Sequence, residues 1–140
     1  MTSVRDTARA PGSIALLLDW IDALRSADLD RIRTLLDPQV TWRGLTDELA
    51  CDGREAVISA IEGQLPMCMG AEALELAVAP DHLILGTRNQ SLPDPPGVSL
   101  AGQIYNVYEL AQGRIREIRD FAARKDAFRA AGLDREDEWR

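Results

Sequence analysis

Few side chains in this sequence are of a kind that does chemistry, and the most pointed of them sits in the segment IREIRDFA, residues 115–122. A carboxyl such as Asp120, aimed into a cavity, can orient a water, take a proton or give one. The same group at a sheet edge is a solvated charge. Alternation does not separate the two. One face would carry Arg116, Ile118, Asp120 and Ala122, the other Ile115, Glu117, Arg119 and Phe121, and each mixes apolar with charged residues. On the strand pattern alone, the surface charge is the better reading. The single histidine, His82, follows a Pro80-Asp81 turn, where a side chain is usually exposed. Cys51 and Cys68 belong to no CxxC motif and no His/Cys cluster, which excludes a zinc site of ordinary spacing. They read as reduced, buried small hydrophobes. No glycine-rich phosphate loop or ligand cluster is present, so no metal and no nucleotide cofactor is expected.

The bulk composition narrows the setting. At 140 residues, 46% hydrophobic and 28% charged, the chain is long enough for one soluble domain that buries a core without staples. A net charge of −7 argues against a nucleic-acid or anionic-membrane surface, because binding phosphates takes clustered Lys and Arg. The basic residues are instead interleaved with acids, as in RDFAARKDAFR. No apolar run approaches the ~20 residues of a membrane span, and the polar N-terminus does not resemble a leader, so a cytoplasmic protein is expected.

The elements that must position Asp120 follow from periodicity. Residues 1–10 lack apolar period and read as a mobile tail; 11–132 read as the domain; 133–140 read as a polar tail. Ile14, Leu17, Leu18, Ile21 and Leu24 predict a first helix ending near residues 26–28, and Leu29, Ile32, Leu35 and Leu36 a second, stopped by Asp37-Pro38. VTWRGL (40–45) predicts a strand, and REAVISAIEGQL (54–65) a third helix. The remainder predicts four strands, 73–79, 82–92, 98–110 and 114–122, then a short helix ending at Gly132. Connections this short make the strands antiparallel. The fold class expected is α+β: a curved, mainly antiparallel sheet wrapped around N-terminal helices, a cone with an internal cavity where a small molecule would bind.

The strings ALRSADLDRIRTLLDPQVTWRG, DGREAVISAI and YELAQGRIREIRDF resemble the SnoaL-like branch of the nuclear transport factor 2-like superfamily, across roughly residues 13–132. That superfamily hosts ketosteroid isomerases, limonene-type epoxide hydrolases, polyketide cyclases, dehydratases and non-catalytic binding domains, so the resemblance implies the cone fold more sharply than an activity. Set against the isomerases, Trp20 and Tyr105 fall where the hydrogen-bond donors stand, while Gly44 occupies the position of the base. A glycine takes no proton, so that mechanism is disfavoured. Set against the epoxide hydrolases, Arg88 and Asp120 match the arginine and the last-strand acid. Gln90 replaces the second acid and cannot protonate an alkoxide, and Trp42 and Gly44 replace the residues that hold the water.

The resemblance thus implies Asp120 as acid/base with Arg88 as its partner. It also implies a cavity of Trp20, Trp42, Gln90, Tyr105, Ile118 and His82, with Gln103 and Val107 beside Tyr105 and Met67, Cys68 and Met69 near its rim. The function expected is a hydrolase, cyclase or dehydratase acting on a small hydrophobic cyclic molecule. A non-catalytic ligand-binding domain, or a dimerisation module, is the alternative. A homodimer would use the outer sheet face, with Asn106 and Tyr108 on it, and no nucleic acid or membrane partner is expected.

Overall fold

A computed structural model describes residues 11–46, 50–69, 73–89 and 100–133. The N-terminal tail, Gln90, the 93–97 loop and Trp139 lie outside the described residues, as do the side chains of Met67, Cys68 and Met69. Two helices open the chain, α1 (Pro11–Ser26) and α2 (Leu29–Leu35). Asp28 caps α2 by accepting from the Arg31 backbone N–H at 3.2 Å, relieving one of the unpaired donors of its first turn. β1 (Leu36–Arg43) and the two-residue β2 (Cys51–Asp52) pair antiparallel ahead of α3 (Arg54–Met69). β3 (Ala73–Ala79), β4 (His82–Arg88), β5 (Gln103–Ala111) and β6 (Arg114–Phe121) follow, then α4 (Arg124–Ala130).

The strands form one curved sheet in the order β2-β1-β6-β5-β4-β3. The meander is antiparallel, and β1 adds to it by running parallel to β6. Several boundaries depart from the periodicity, among them the start of β5, at Gln103 rather than 98. α3 continues through Pro66 instead of stopping before it, the strand at Leu36 begins ahead of Pro38, and β4 ends at Arg88 rather than at 92. No helix among the described residues is long and apolar enough to cross a membrane.

The sheet separates two cores. On its concave face Leu17, Trp20 and Leu24 of α1, Ile32 of α2 and Val57 and Ile61 of α3 pack against Val40, Leu83, Leu85, Tyr108, Ile115 and Ile118. Burying each such side chain contributes roughly 1.5–3 kcal/mol. On the convex face Ala127, Phe128 and Ala131, from α4 and the residue after it, cover Ile84, Tyr105 and Val107, with Leu133 packed at the margin.

A single irregularity decides which residues meet across β5 and β6. Gln112 and Gly113 both have positive φ, 55° and 77°, as a tight type I′ hairpin requires, and they start the pairing with Ala111 opposite Arg114 and Leu110 opposite Ile115. Glu109 then pairs with Glu117, leaving Arg116 as an extra residue. This β-bulge inverts the alternation of β6. Ile115 before it and Ile118 after it both reach the concave core, which a regular strand would not allow.

Candidate functional site

The bulge places Asp120 opposite Asn106. Each carboxylate oxygen is held by a donor from a neighbouring strand. The Asn106 amide Nδ2 donates to Oδ1 at 2.6 Å, and the indole Nε1 of Trp42, which pairs with Ile118 in the parallel β1–β6 ladder, donates to Oδ2 at 3.0 Å. Because an ionised carboxylate only accepts, the amide of Asn106 must turn its NH₂ toward it. Its carbonyl oxygen is left for another partner.

Burial pushes the Asp120 carboxyl up from the ordinary 3.8 to about 6, and the hydrogen bonds from Trp42 and Asn106 act against that rise. Among the described residues no cation contributes to its electrostatics. The residue nevertheless keeps part of its surface open. A group walled by protein on most sides, with one opening, has both properties.

Beside this carboxyl lies a cavity whose walls are mostly apolar. Trp20, Trp42 and Tyr108 supply aromatic surface, Leu24, Ile61, Leu85 and Ile118 aliphatic surface, and Thr87 and Asn106 the polar edge. The centre of a water molecule can occupy about 50 Å³ of it. That is room for about four waters, or roughly 120 Å³ of liquid, comparable to one substituted ring. Trp20, only 2% exposed, donates its indole N–H to the Tyr108 hydroxyl at 3.0 Å. The two rings meet edge to face with centroids 5.5 Å apart. This contact ties α1 to β5 and fixes one wall.

The sequence-predicted site residues divide accordingly. Trp20, Trp42 and Ile118 line the cavity, and Asp120 is bonded to two residues that do. Tyr105 does not face it. Its ring is buried against α4 on the convex side, and its hydroxyl donates to Gln103 Oε1 at 3.1 Å. Arg88 pairs with Gln103 in the β4–β5 ladder and alternates with Leu85 and Thr87, so it stands on that convex face rather than beside Asp120. His82 shares the Arg88 side of β4, with Nδ1 3.3 Å from the Pro80 carbonyl oxygen and Nε2 3.8 Å from Glu109.

The bulge at Arg116 accounts for all three corrections. Continued without it, the hairpin would set Tyr105 opposite Asp120, bringing Arg88 and His82 to the same face. With it, Asn106 and Tyr108, expected on the outer face, take the inner positions, and with Thr87 they are the residues that pattern reading missed. Their alternation is no different from that of Tyr105 and Val107. The signal that finds them is the mismatch between Ile115 and Ile118, two residues of one apolar kind at odd spacing in one strand.

A cone of sheet and helices, with a last-strand carboxyl at an aromatic cavity, defines a class that sequence comparison identifies. The profile of the SnoaL-like domain matches residues 17–118, and the chain belongs to that family. No curated protein sequence matches it. Among solved structures it is similar to a SnoaL-like protein of unknown function from Burkholderia thailandensis, at TM-score 0.59 and 16% identity over 79% of this chain and 94% of that one. It is also similar to a candidate SnoaL-like polyketide cyclase from Jannaschia, at TM-score 0.58 and 18% identity over 86% and 91%. A third, from Catenulispora acidiphila, has a ketosteroid isomerase-like fold and was solved in complex with trimethylamine; it matches at TM-score 0.51 and 15% identity over 84% and 92%. At these identities the likeness is one of fold, the nuclear transport factor 2-like cone.

Proposed function

We propose that the cone cavity is the site of a small-molecule enzyme of the hydrolase, cyclase or dehydratase kind, with Asp120 as its acid/base. The reading rests on one observation: a carboxyl with both oxygens held by two residues that line an aromatic cavity, with no cation among the described residues to neutralise it. A carboxyl held near pH 6 exchanges a proton readily at neutral pH, where an ordinary aspartate is a weak base. Trp42 and Asn106 act as positioning residues, in place of the arginine that the family resemblance implied. The substrate is a hydrophobic molecule of about one ring, placed against Trp20 and Tyr108. The candidate cyclase among similar structures is compatible with this class.

The test is turnover of a panel of small cyclic epoxides, β-dicarbonyls and β-hydroxyketones by the wild-type protein and Asp120→Asn. Removing a general acid/base lowers kcat by about 10²–10⁴-fold. Equal turnover in the variant would refute the assignment. Ligand binding without turnover by either protein would make the chain a binding domain of the same fold.

A further inference from the structure

Every described residue that lines the cavity is neutral, so a charged ligand meets no counter-charge on its walls. Asp120 is not one of them; it is bonded to two that are, Trp42 and Asn106. The Tyr108 hydroxyl already accepts from the Trp20 indole. The two other polar side chains of the edge, Thr87 and Asn106, are differently placed. Among the described residues neither the Thr87 hydroxyl nor the Asn106 carbonyl oxygen has a hydrogen-bond partner. No buried side-chain nitrogen or oxygen among those residues lacks one, so both groups keep accessible surface.

The two side chains stand on one face of adjacent strands. Asn106 pairs with Leu85 across the β4–β5 ladder, and Thr87 lies two residues beyond Leu85. Diagonal neighbours of this kind are roughly 7–8 Å apart, near enough for one small polar group to reach both. Their chemistry is complementary. An ionised Asp120 only accepts, so it holds the NH₂ end of the Asn106 amide and the other end presents an oxygen, a pure acceptor. The Thr87 hydroxyl can donate. A ligand that displaces water here must give a hydrogen to Asn106 and can take one from Thr87. A lone ketone or ether oxygen would leave the Asn106 carbonyl unpaired, and a desolvated acceptor left unpaired is costly.

We propose that Thr87 and Asn106 are the specificity-determining residues of the cavity, and that its ligand is a neutral, ring-sized molecule carrying an O–H or N–H beside a carbonyl. The O–H or N–H donates to the Asn106 oxygen, and the carbonyl accepts from the Thr87 hydroxyl. The inference rests on the reading of the cavity given above, and it names the substrate class. It selects a β-hydroxyketone or the enol of a β-dicarbonyl over a simple epoxide, which has no such hydrogen to give.

Ligands of one ring size that differ in a single group test this in the intact chain at pH 7.5, by calorimetry and tryptophan fluorescence. δ-Valerolactam carries an N–H beside a carbonyl. Cyclohexanone keeps the carbonyl alone, N-methyl-δ-valerolactam blocks the N–H, and protonated piperidine adds a charge. An unpaired acceptor costs about tenfold in affinity, or about 1.4 kcal/mol. The lactam should therefore bind about tenfold more tightly than cyclohexanone or the N-methyl lactam, and more tightly than protonated piperidine. Thr87→Val keeps the shape and should weaken lactam and ketone alike, by about threefold to tenfold, leaving their ratio in place. Asn106→Leu should bring that ratio to within about threefold. Any of the other three ligands binding as tightly as the lactam overturns the proposal, and so does an unchanged ratio in Asn106→Leu or no lactam binding in the millimolar range. Should Asn106→Leu fail to fold, the wild-type ratios and Thr87→Val decide the matter. The outcomes stay separable from those for catalysis. Turnover that depends on Asp120 without a lactam preference leaves the acid–base reading standing and removes the donor–acceptor site. A lactam preference with turnover independent of Asp120 leaves the site and removes the acid–base role.

Discussion

The two faces of the sheet treat a buried charge in opposite ways. On the convex face Arg124 of α4 grips Glu75 of β3 with Nε at 2.9 Å and Nη2 at 2.6 Å, while its guanidinium stacks 4.2 Å from the centre of the Phe128 ring. Both side chains are mostly buried and each neutralises the other. This is a brace, fastening a short helix that has no side-chain N-cap. On the concave face Asp120 is just as firmly held, but its donors among the described residues are neutral. Its charge is positioned without being cancelled. A compensated charge holds structure together, whereas an uncompensated one at a cavity is available to a ligand or a proton.

The largest expected effect comes from removing the feature that separates the faces. Deleting Arg116 would restore regular pairing and force either Ile115 or Ile118 out of the concave core, although both are at most 2% exposed. Moving a fully buried isoleucine to solvent while turning Asp120 outward should cost more than about 4 kcal/mol, enough to leave the chain largely unfolded. Arg116→Ala, which keeps the residue count, loses only an exposed, solvent-screened ion pair with Glu109 and should leave the melting temperature close to that of the wild type. Thermal melts of the two proteins make the comparison. Equal stabilities would show that the bulge is not needed.

That contrast also explains what could be read in the sequence. Helix and strand identities were legible from periodicity, since Ile14, Leu17, Leu18, Ile21 and Leu24 permit only a helix face, and ALELAVA followed by a turn permits little besides a hairpin. The parallel contact of β1 with β6 joins segments far apart in the chain, and no local pattern encodes it. The concave position of Asp120 was implied by the family register. Its partners were not legible, because one extra residue in β6 exchanges Tyr105 for Asn106 and neither strand carries a clean alternation. Arg88 followed Tyr105 to the convex face for the same reason.

The brace is the next target. Arg124→Ala leaves Glu75 partly buried without its cation and strips one face of Phe128, which should cost about 3 kcal/mol and lower the melting temperature by roughly 10 °C. Ligand affinity in the concave cavity should be unchanged, since none of the described convex residues lines it. A variant of wild-type stability would show that α4 is held by Ala127, Phe128 and Ala131 alone.

The uncompensated carboxyl has its own stability signature. Asp120 binds its proton more tightly folded than unfolded, so the stability it contributes is fully present below pH 3.8 and is lost as pH rises through about 6. The gap corresponds to about 3 kcal/mol. Comparing unfolding free energies at pH 4 and pH 8, the wild-type protein should lose about 2–3 kcal/mol relative to Asp120→Asn. Taking the difference between two pH values removes the constant cost of the altered hydrogen bonds. Identical pH dependence in the two proteins would place Asp120 in ordinary solvent.

The finest distinction concerns what holds that carboxyl. The Trp42 indole N–H stabilises the ionised form, so Trp42→Phe should raise the Asp120 pKa above about 6 while keeping an aromatic wall on the cavity. A lost hydrogen bond to a charged acceptor is worth about 1.5 kcal/mol, or roughly one pH unit. The acidic limb of the pH–rate profile, or a direct carboxyl titration by NMR, should move up by that amount with little change in ligand affinity at pH 8. Arg124→Ala should not move it at all. If Trp42→Phe weakens binding and leaves the titration in place, Trp42 serves the cavity as a wall and Asn106 alone governs the acid. A shift in the titration at constant affinity would instead mark the indole as a positioning group whose purpose is the proton.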